Sequence, residues 1–156
     1  MIVTANGVPL VGLVGCGKAK AKTNKPIPAK RLYTGGLFRS SLRFSLDRCQ
    51  YTFIVSAKYG LIKITKRIEP YDMTLKDLCK GERDAWAVEI VRELKEQMHD
   101  ICYPFQAVLL AGSMYADPLF QECFWNHIPA CRPLRGMAQG QRLKWLSEQR
   151  KIARKK

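Results

Sequence analysis

Tyr51-Thr52-Phe53-Ile54-Val55, running on through Ser56-Ala57-Lys58-Tyr59-Gly60-Leu61-Ile62 to Glu69-Pro70-Tyr71-Asp72, decides how the rest of the chain is read. Its first five residues are β-branched or aromatic and uncharged, which predicts a strand buried on both faces and ending at Ser56. Polar residues then arrive at its carboxyl end, the edge where ligands sit in open α/β sheets, and place Ser56, Lys58 and Tyr59 ahead of a turn at Gly60. Pro70 holds Glu69 extended. Two carboxylates, Glu69 and Asp72, therefore flank Pro70-Tyr71 in a loop that core packing does not explain. A plainer alternative stands beside this one: Glu69 paired with a lysine, Asp72 capping a helix ahead of Thr74-Leu75, and Tyr71 filling a gap.

Upstream, the apolar run from Val8 to Val14 predicts a first buried strand that stops at Gly15-Cys16-Gly17-Lys18. Glycines let backbone N–H groups approach an anion and Lys18 adds a point charge, so Cys16, Gly17 and Lys18 are candidate substrate-binding residues. The spacing fits neither the Walker loop nor the dinucleotide fingerprint, and no cofactor is expected. Lys20 to Arg31, rich in Lys and Pro, predicts a mobile loop. Leu37, Phe38, Leu42 and Leu46 recur at helical spacing. Downstream, Glu82 to Met98 is the clearest helix, with Ala87, Ile90, Val91, Leu94 and Met98 as its apolar stripe. Ala107 to Ala111 reads as a third buried strand ending at Gly112-Ser113. Asp117-Pro118 reads as the start of a helix, and Ile128 to Leu134 as a short edge strand. A last helix from about Ala138 points Leu143, Leu146 and Ile152 inward. This alternation predicts one α/β domain over residues 1–156, a three-layer α/β/α arrangement with a mainly parallel sheet. Ser56, Ser113 and the Gly15 to Lys18 loop would converge on one edge of it.

Charge narrows the function. Lys and Arg number 27 against 13 Asp and Glu, a net charge of +14, and nine of those acids fall between Glu69 and Asp100. Both ends of the chain are thus almost purely basic, which points to a nucleic-acid partner, with a merely solubilising surface as the alternative. Lys20, Lys22 and Lys25 in the early loop, with Arg150, Lys151, Arg154, Lys155 and Lys156 in a basic tail from about residue 150, are the candidate phosphate contacts. No apolar run approaches the length of a membrane span, and the amino terminus lacks the layout of a secretion signal, so a cytoplasmic protein is expected. The six cysteines are scattered, with no C-x-x-C pair and no His at ligand spacing, which is not a metal pattern. Neither His99 nor His127 is expected to be catalytic.

Gly15-Cys16-Gly17-Lys18, Leu32-Tyr33-Thr34 with Leu37-Phe38, Ser56 to Leu61, and Glu69-Pro70-Tyr71-Asp72 together resemble an uncharacterised family of phage and bacterial proteins. Leu110-Ala111-Gly112-Ser113 with Tyr115, and Pro133 to Met137 with Gly140-Gln141, look like its later blocks, so the resemblance covers most of the chain. Tyr59-Gly60-Leu61 and Pro70-Tyr71 are more distantly similar to the peroxide-stress YaaA family, whose members are associated with DNA binding. The layout also resembles uracil-DNA-glycosylase-like domains, without the aspartate-proline-tyrosine and histidine-serine-proline blocks of true uracil-DNA glycosylases. What this implies is action on nucleic acid, DNA favoured over RNA, with cleavage or exchange of the N-glycosidic bond of a base, as in a DNA glycosylase or a base-transglycosylase-like hydrolase. Such chemistry passes through an oxocarbenium-like sugar that a carboxylate stabilises. Asp72 is the first candidate, Glu69 the second, and Lys58 a candidate nucleophile or phosphate contact. Tyr59, Tyr71 and Tyr115 offer rings to an extruded base, Ser56, Ser113 and Gln141 offer hydrogen bonds, and Arg135 joins Lys18 as a phosphate contact. The alternatives are a non-enzymatic DNA- or RNA-binding protein, and an enzyme on a small phosphorylated nucleotide.

Overall fold

Three parallel strands form the middle of the sheet in the computed structural model, which describes residues 6–155. These are β1 (Leu10–Gly15), β3 (Tyr51–Ser56) and β6 (Gln106–Leu110), with Leu13 level with both Phe53 and Leu109. A short parallel strand, β7 (Ala130–Cys131), extends the sheet beside β6, and β4 (Gly60–Lys63) returns antiparallel beside β3, giving the order β4-β3-β1-β6-β7. A separate two-stranded ribbon pairs β2 (Ile27–Pro28) with β5 (Arg67–Ile68).

Side chains alternate across a strand, and here both faces are apolar. Val11, Leu13, Phe53, Val55, Ala107 and Leu109 pack against α3 (Lys80–His99) and α4 (Ser113–Trp125). Leu10, Val14, Ile54, Val108 and Leu110 face α1 (Ala29–Leu32), α2 (Gly36–Arg48) and α5 (Gln139–Arg154). The result is the expected three-layer domain with a mostly parallel sheet. Close packing of α2 on β1 requires Gly12, where an added Cβ would lie 1.8 Å from Ser45 Oγ.

Several local expectations are corrected. Gly60, at φ +72°, does turn the chain, but Leu61 to Lys63 then pair with β3 as a hairpin, closed by Ser56 Oγ accepting the amides of Lys58 and Tyr59 at 3.3 and 3.1 Å. The early basic segment is loop over residues 21 to 26 but not beyond them, where Ile27–Pro28 and Ala29–Leu32 form a strand and a helical turn. Ala29 and Leu32 are fully buried, and burial of that helical turn against the sheet overrides the Lys- and Pro-rich composition around it. Pro118 lies inside α4 rather than at its start, because the helix begins at Ser113 and buries Ala116 on the way. Leu46 and Ile152 point outward, at 51% and 47% exposure, since α2 and α5 bury Phe44 and Leu146 instead. Residues 150 to 154 continue α5 and are not a free tail.

Candidate functional site

The centre of the sheet sets the position of the site. From β1 the chain moves first to β3 on one side and later to β6 on the other, so the loops leaving β1 and β6 diverge. A crevice at the carboxyl ends of those strands follows from that topology. It is occupied by a cavity of about 560 Å³ lined by Gly15 to Ala19 after β1 and by Leu110 to Tyr115 after β6. Gly35 and Gly36 close it at the start of α2, and Gln139 and Arg142 at the start of α5. Lys18, Lys76 and Arg142 line it and no carboxylate does. Ser41, only 1% exposed, also lines it, and its buried Oγ has no hydrogen-bond partner among the described residues.

Cys16 and Tyr115 stand on the boundary. The Cys16 thiol donates to Tyr115 Oη at 3.6 Å, and the same oxygen accepts the Leu75 amide at 3.3 Å. Both side chains also line an adjoining cleft of about 290 Å³, walled by Lys18, Lys20, Asp72, Met73, Thr74 and Asp77. Beyond it a shallow groove runs along Lys18, Lys20, Lys22, Pro70, Tyr71 and Asp72.

With this geometry in place, the chain can be set against known families: a model of a family of unknown function, DUF6884, matches residues 11–148. The chain belongs to the DUF6884 family. The matched span runs from β1 into α5 and contains every residue of the crevice. No curated protein and no solved structure matches the chain.

In this DUF6884 chain Asp72 is exposed and lines both cleft and groove, and its carboxylate has no hydrogen bond or ion pair with any described residue. The capping role that the plainer reading gave it belongs to Thr74. Its hydroxyl accepts the Lys76 amide at 2.9 Å, while the Asp77 carboxylate accepts the Thr74 amide at 3.0 Å. Tyr71 is held at the centre of a hydroxyl chain, 2.7 Å from Tyr33 Oη and 2.7 Å from Ser56 Oγ. Burial pushes the Tyr33 phenol up to about 12 and drives that of Tyr71 higher still. Burial likewise raises Tyr115. Lys20 Nζ sits 4.5 Å from the centre of the Tyr71 ring, a cation–π contact.

The crevice thus gathers Cys16, Gly17, Lys18, Ser113 and Tyr115 of the sequence candidates, and the cleft and groove add Lys20, Lys22, Tyr71 and Asp72. The others stand elsewhere. Ser56 is fully buried and supports Tyr71 and the hairpin. Glu69 is exposed and lines none of the three hollows, and its backbone carbonyl accepts the Tyr59 hydroxyl at 3.4 Å. Lys58 is exposed 5.3 Å from the Tyr59 ring. Arg135 and Lys25 are exposed in loops, and Gln141 Oε1 accepts the Ala138 amide at 2.8 Å as a helix cap. Arg150 faces Asp47 at 3.5 Å. Lys151, Arg154 and Lys155 lie at the far end of α5, about 13 to 20 Å from Arg142 along the helix axis at the usual rise per residue, and Lys156 lies outside the described residues.

Ser41, Lys76 and Arg142 line the cavity without having been legible as site residues in the sequence. Gly35-Gly36 directly before a helical pattern was a readable sign of an uncapped helix start, whereas Arg142 merged into the basic run and Ser41 carried no sign at all. Among the described residues no group of three or more His, Cys, Asp or Glu is placed to hold a metal ion. Nor is any described helix long and apolar enough to cross a membrane.

Proposed function

We propose that the protein acts on a base in nucleic acid, cleaving or exchanging its N-glycosidic bond, with Asp72 as the carboxylate that stabilises the cationic sugar. The observation that carries this reading is the position of Asp72, an unpaired carboxylate in a cleft walled by Lys18, Lys20, Lys76 and Tyr115. Asp77 shares the cleft but is engaged with the Thr74 amide, which leaves Asp72 as the free negative charge facing the space. A carboxylate so placed favours an oxocarbenium-like sugar or directs water at it. Tyr71 and Tyr115 offer ring surface to an extruded base, and the Lys18, Lys20 and Lys22 groove offers charge to the strand. The likeness of Tyr59-Gly60-Leu61 and Pro70-Tyr71 to the YaaA family, and of the layout to uracil-DNA-glycosylase-like domains, supports a DNA substrate.

The test is to incubate the protein with modified and unmodified DNA and RNA and measure released free base by mass spectrometry. Release that disappears in Asp72→Asn, with binding retained, is the expected result. Absence of release from every substrate would leave only a binding role. A second reading, an enzyme on a small phosphorylated nucleotide, is favoured by the main cavity, whose volume of about 560 Å³ is that of a small-molecule site. It is distinguished by release of base from free mononucleotides in the same assay.

A further inference from the structure

We propose that the main cavity is a receptor for a phosphate monoester, gripped by the starts of three helices together with Ser41 and Arg142. The inference deepens the reading above and rests on it only for what the phosphate is attached to.

Three helices of 13, 13 and 16 residues, α2, α4 and α5, begin at the cavity wall. Helices ordinarily begin with a Ser, Thr, Asp or Asn whose side chain accepts a free amide of the first turn. Here the three positions are Gly35, Gly112 and Ala138, and none supplies such an acceptor. The chain does provide such an acceptor at the short helical turn after Thr74, whose hydroxyl accepts the Lys76 amide at 2.9 Å, whereas at α5 the Gln141 side chain accepts only the Ala138 amide, ahead of the helix. At the cavity, the amides of Gly36, Ser113 and Gln139 have no acceptor among the described residues. Three partial positive charges therefore meet in one space.

Ser41 is the independent sign that something polar belongs there. A hydroxyl buried to 1% exposure without a partner is unfavourable unless a ligand oxygen takes its hydrogen. Arg142 is fixed in place by donating from Nε to the Met137 carbonyl at 2.9 Å, and its outer nitrogens form no ion pair with a described residue. With Lys18 and Lys76 also lining a space that holds no carboxylate, the complement is a multiply charged oxyanion. A monoester carries close to two negative charges at neutral pH and three acceptor oxygens, whereas a backbone diester carries one charge. Because Cys16, Lys18 and Tyr115 border both hollows, a monoester bound here places the attached nucleoside toward Asp72.

The monoester can come from the end of a nucleic-acid strand or from a mononucleotide, and the experiment separates these sources. Inorganic phosphate is titrated at constant ionic strength while backbone amide shifts are followed by NMR. Saturable, concerted shifts of Gly36, Ser113 and Gln139 are expected. Ser41→Ala should weaken phosphate roughly three- to tenfold and leave the melting temperature of the free protein unchanged or higher, because it removes an unsatisfied hydroxyl. Arg142→Gln should weaken it at least about tenfold. A 5′-phosphorylated oligonucleotide should then bind at least about tenfold more tightly than its unphosphorylated twin. If it also outcompetes the mononucleotide, the source is a strand end; equal competition makes it the mononucleotide. Phosphate shifts that do not saturate, a Ser41→Ala variant that binds phosphate like the parent, or indifference to the 5′-phosphate in both the oligonucleotide and the mononucleotide would overturn the proposal. Phosphate binding without release of base would sink the glycosidic reading alone.

Discussion

Tyr71 is tied on both sides by hydroxyls, and the carboxylate of its neighbour Asp72 is tied to no described residue. That contrast makes the two residues separable by mutation. Asp72→Asn removes a charge from an exposed side chain that caps no helix, so folding stability should be unchanged while base release falls by orders of magnitude at intact binding. Thermal denaturation beside a turnover assay checks both halves. Tyr71→Phe strips partners from Ser56 and from the buried Tyr33 and should cost about 1–3 kcal/mol in denaturant unfolding. The same cluster sets an alkaline limit. Burial raises the folded Tyr33 phenol to about 12, above its value in the unfolded chain, so the stabilisation is complete below about pH 10. The unfolded chain then ionises first, and stability should fall as the pH rises from about 10 through 12. Stability measured over that range should show a shallower fall in Tyr71→Phe, because Tyr71 is raised in the same direction.

At the scale of elements, α2 is the piece on which the crevice depends, since it brings both Gly36 and Ser41 to it. Its seat on β1 is Gly12, where any side chain meets Ser45 at 1.8 Å, and Ser45 Oγ is already bonded to Thr52 Oγ1 at 2.7 Å. Gly12→Ala should therefore destabilise by about 1–3 kcal/mol through overpacking, read by urea unfolding, and should weaken phosphate binding with it. Elements with a one-sided pattern were legible in the sequence. The stripe residues Ala87, Ile90, Val91, Leu94 and Met98 are all buried, because from Ala87 onward that face of α3 packs against the sheet and α4. Leu46 and Ile152 misled, because α2 and α5 also pack on each other, and the apolar period does not distinguish a helix neighbour from solvent at a helix end.

At the scale of the whole molecule, two separated sets of cations bear on a nucleic-acid partner. Lys18, Lys20 and Lys22 line the groove, while Lys151, Arg154 and Lys155 stand at the distant end of α5. If nucleic acid enters the groove, Lys18→Ala, Lys20→Ala and Lys22→Ala combined should weaken binding and reduce the slope of log affinity against log salt by about 0.9 for each duplex phosphate that is no longer neutralised. Deleting residues 150 to 156 should weaken binding less and leave the domain folded, because Leu146 and the Arg48 bond to the Gln149 carbonyl at 2.6 Å remain. Salt titrations of the variants decide the order.

The sequence by itself determined the class of fold, the three central strands and the loops at their carboxyl ends. Burial on two faces writes a continuous apolar run into each strand, and that signal is local. The main cavity was assembled only by the tertiary structure. Its helix starts at Gly36, Ser113 and Gln139 are scattered along the chain and carry no shared motif, and they meet because β1 lies between β3 and β6. Ser41 became visible only once its neighbours were placed around it, since whether a hydroxyl lacks a partner depends on the packing of every element that buries it.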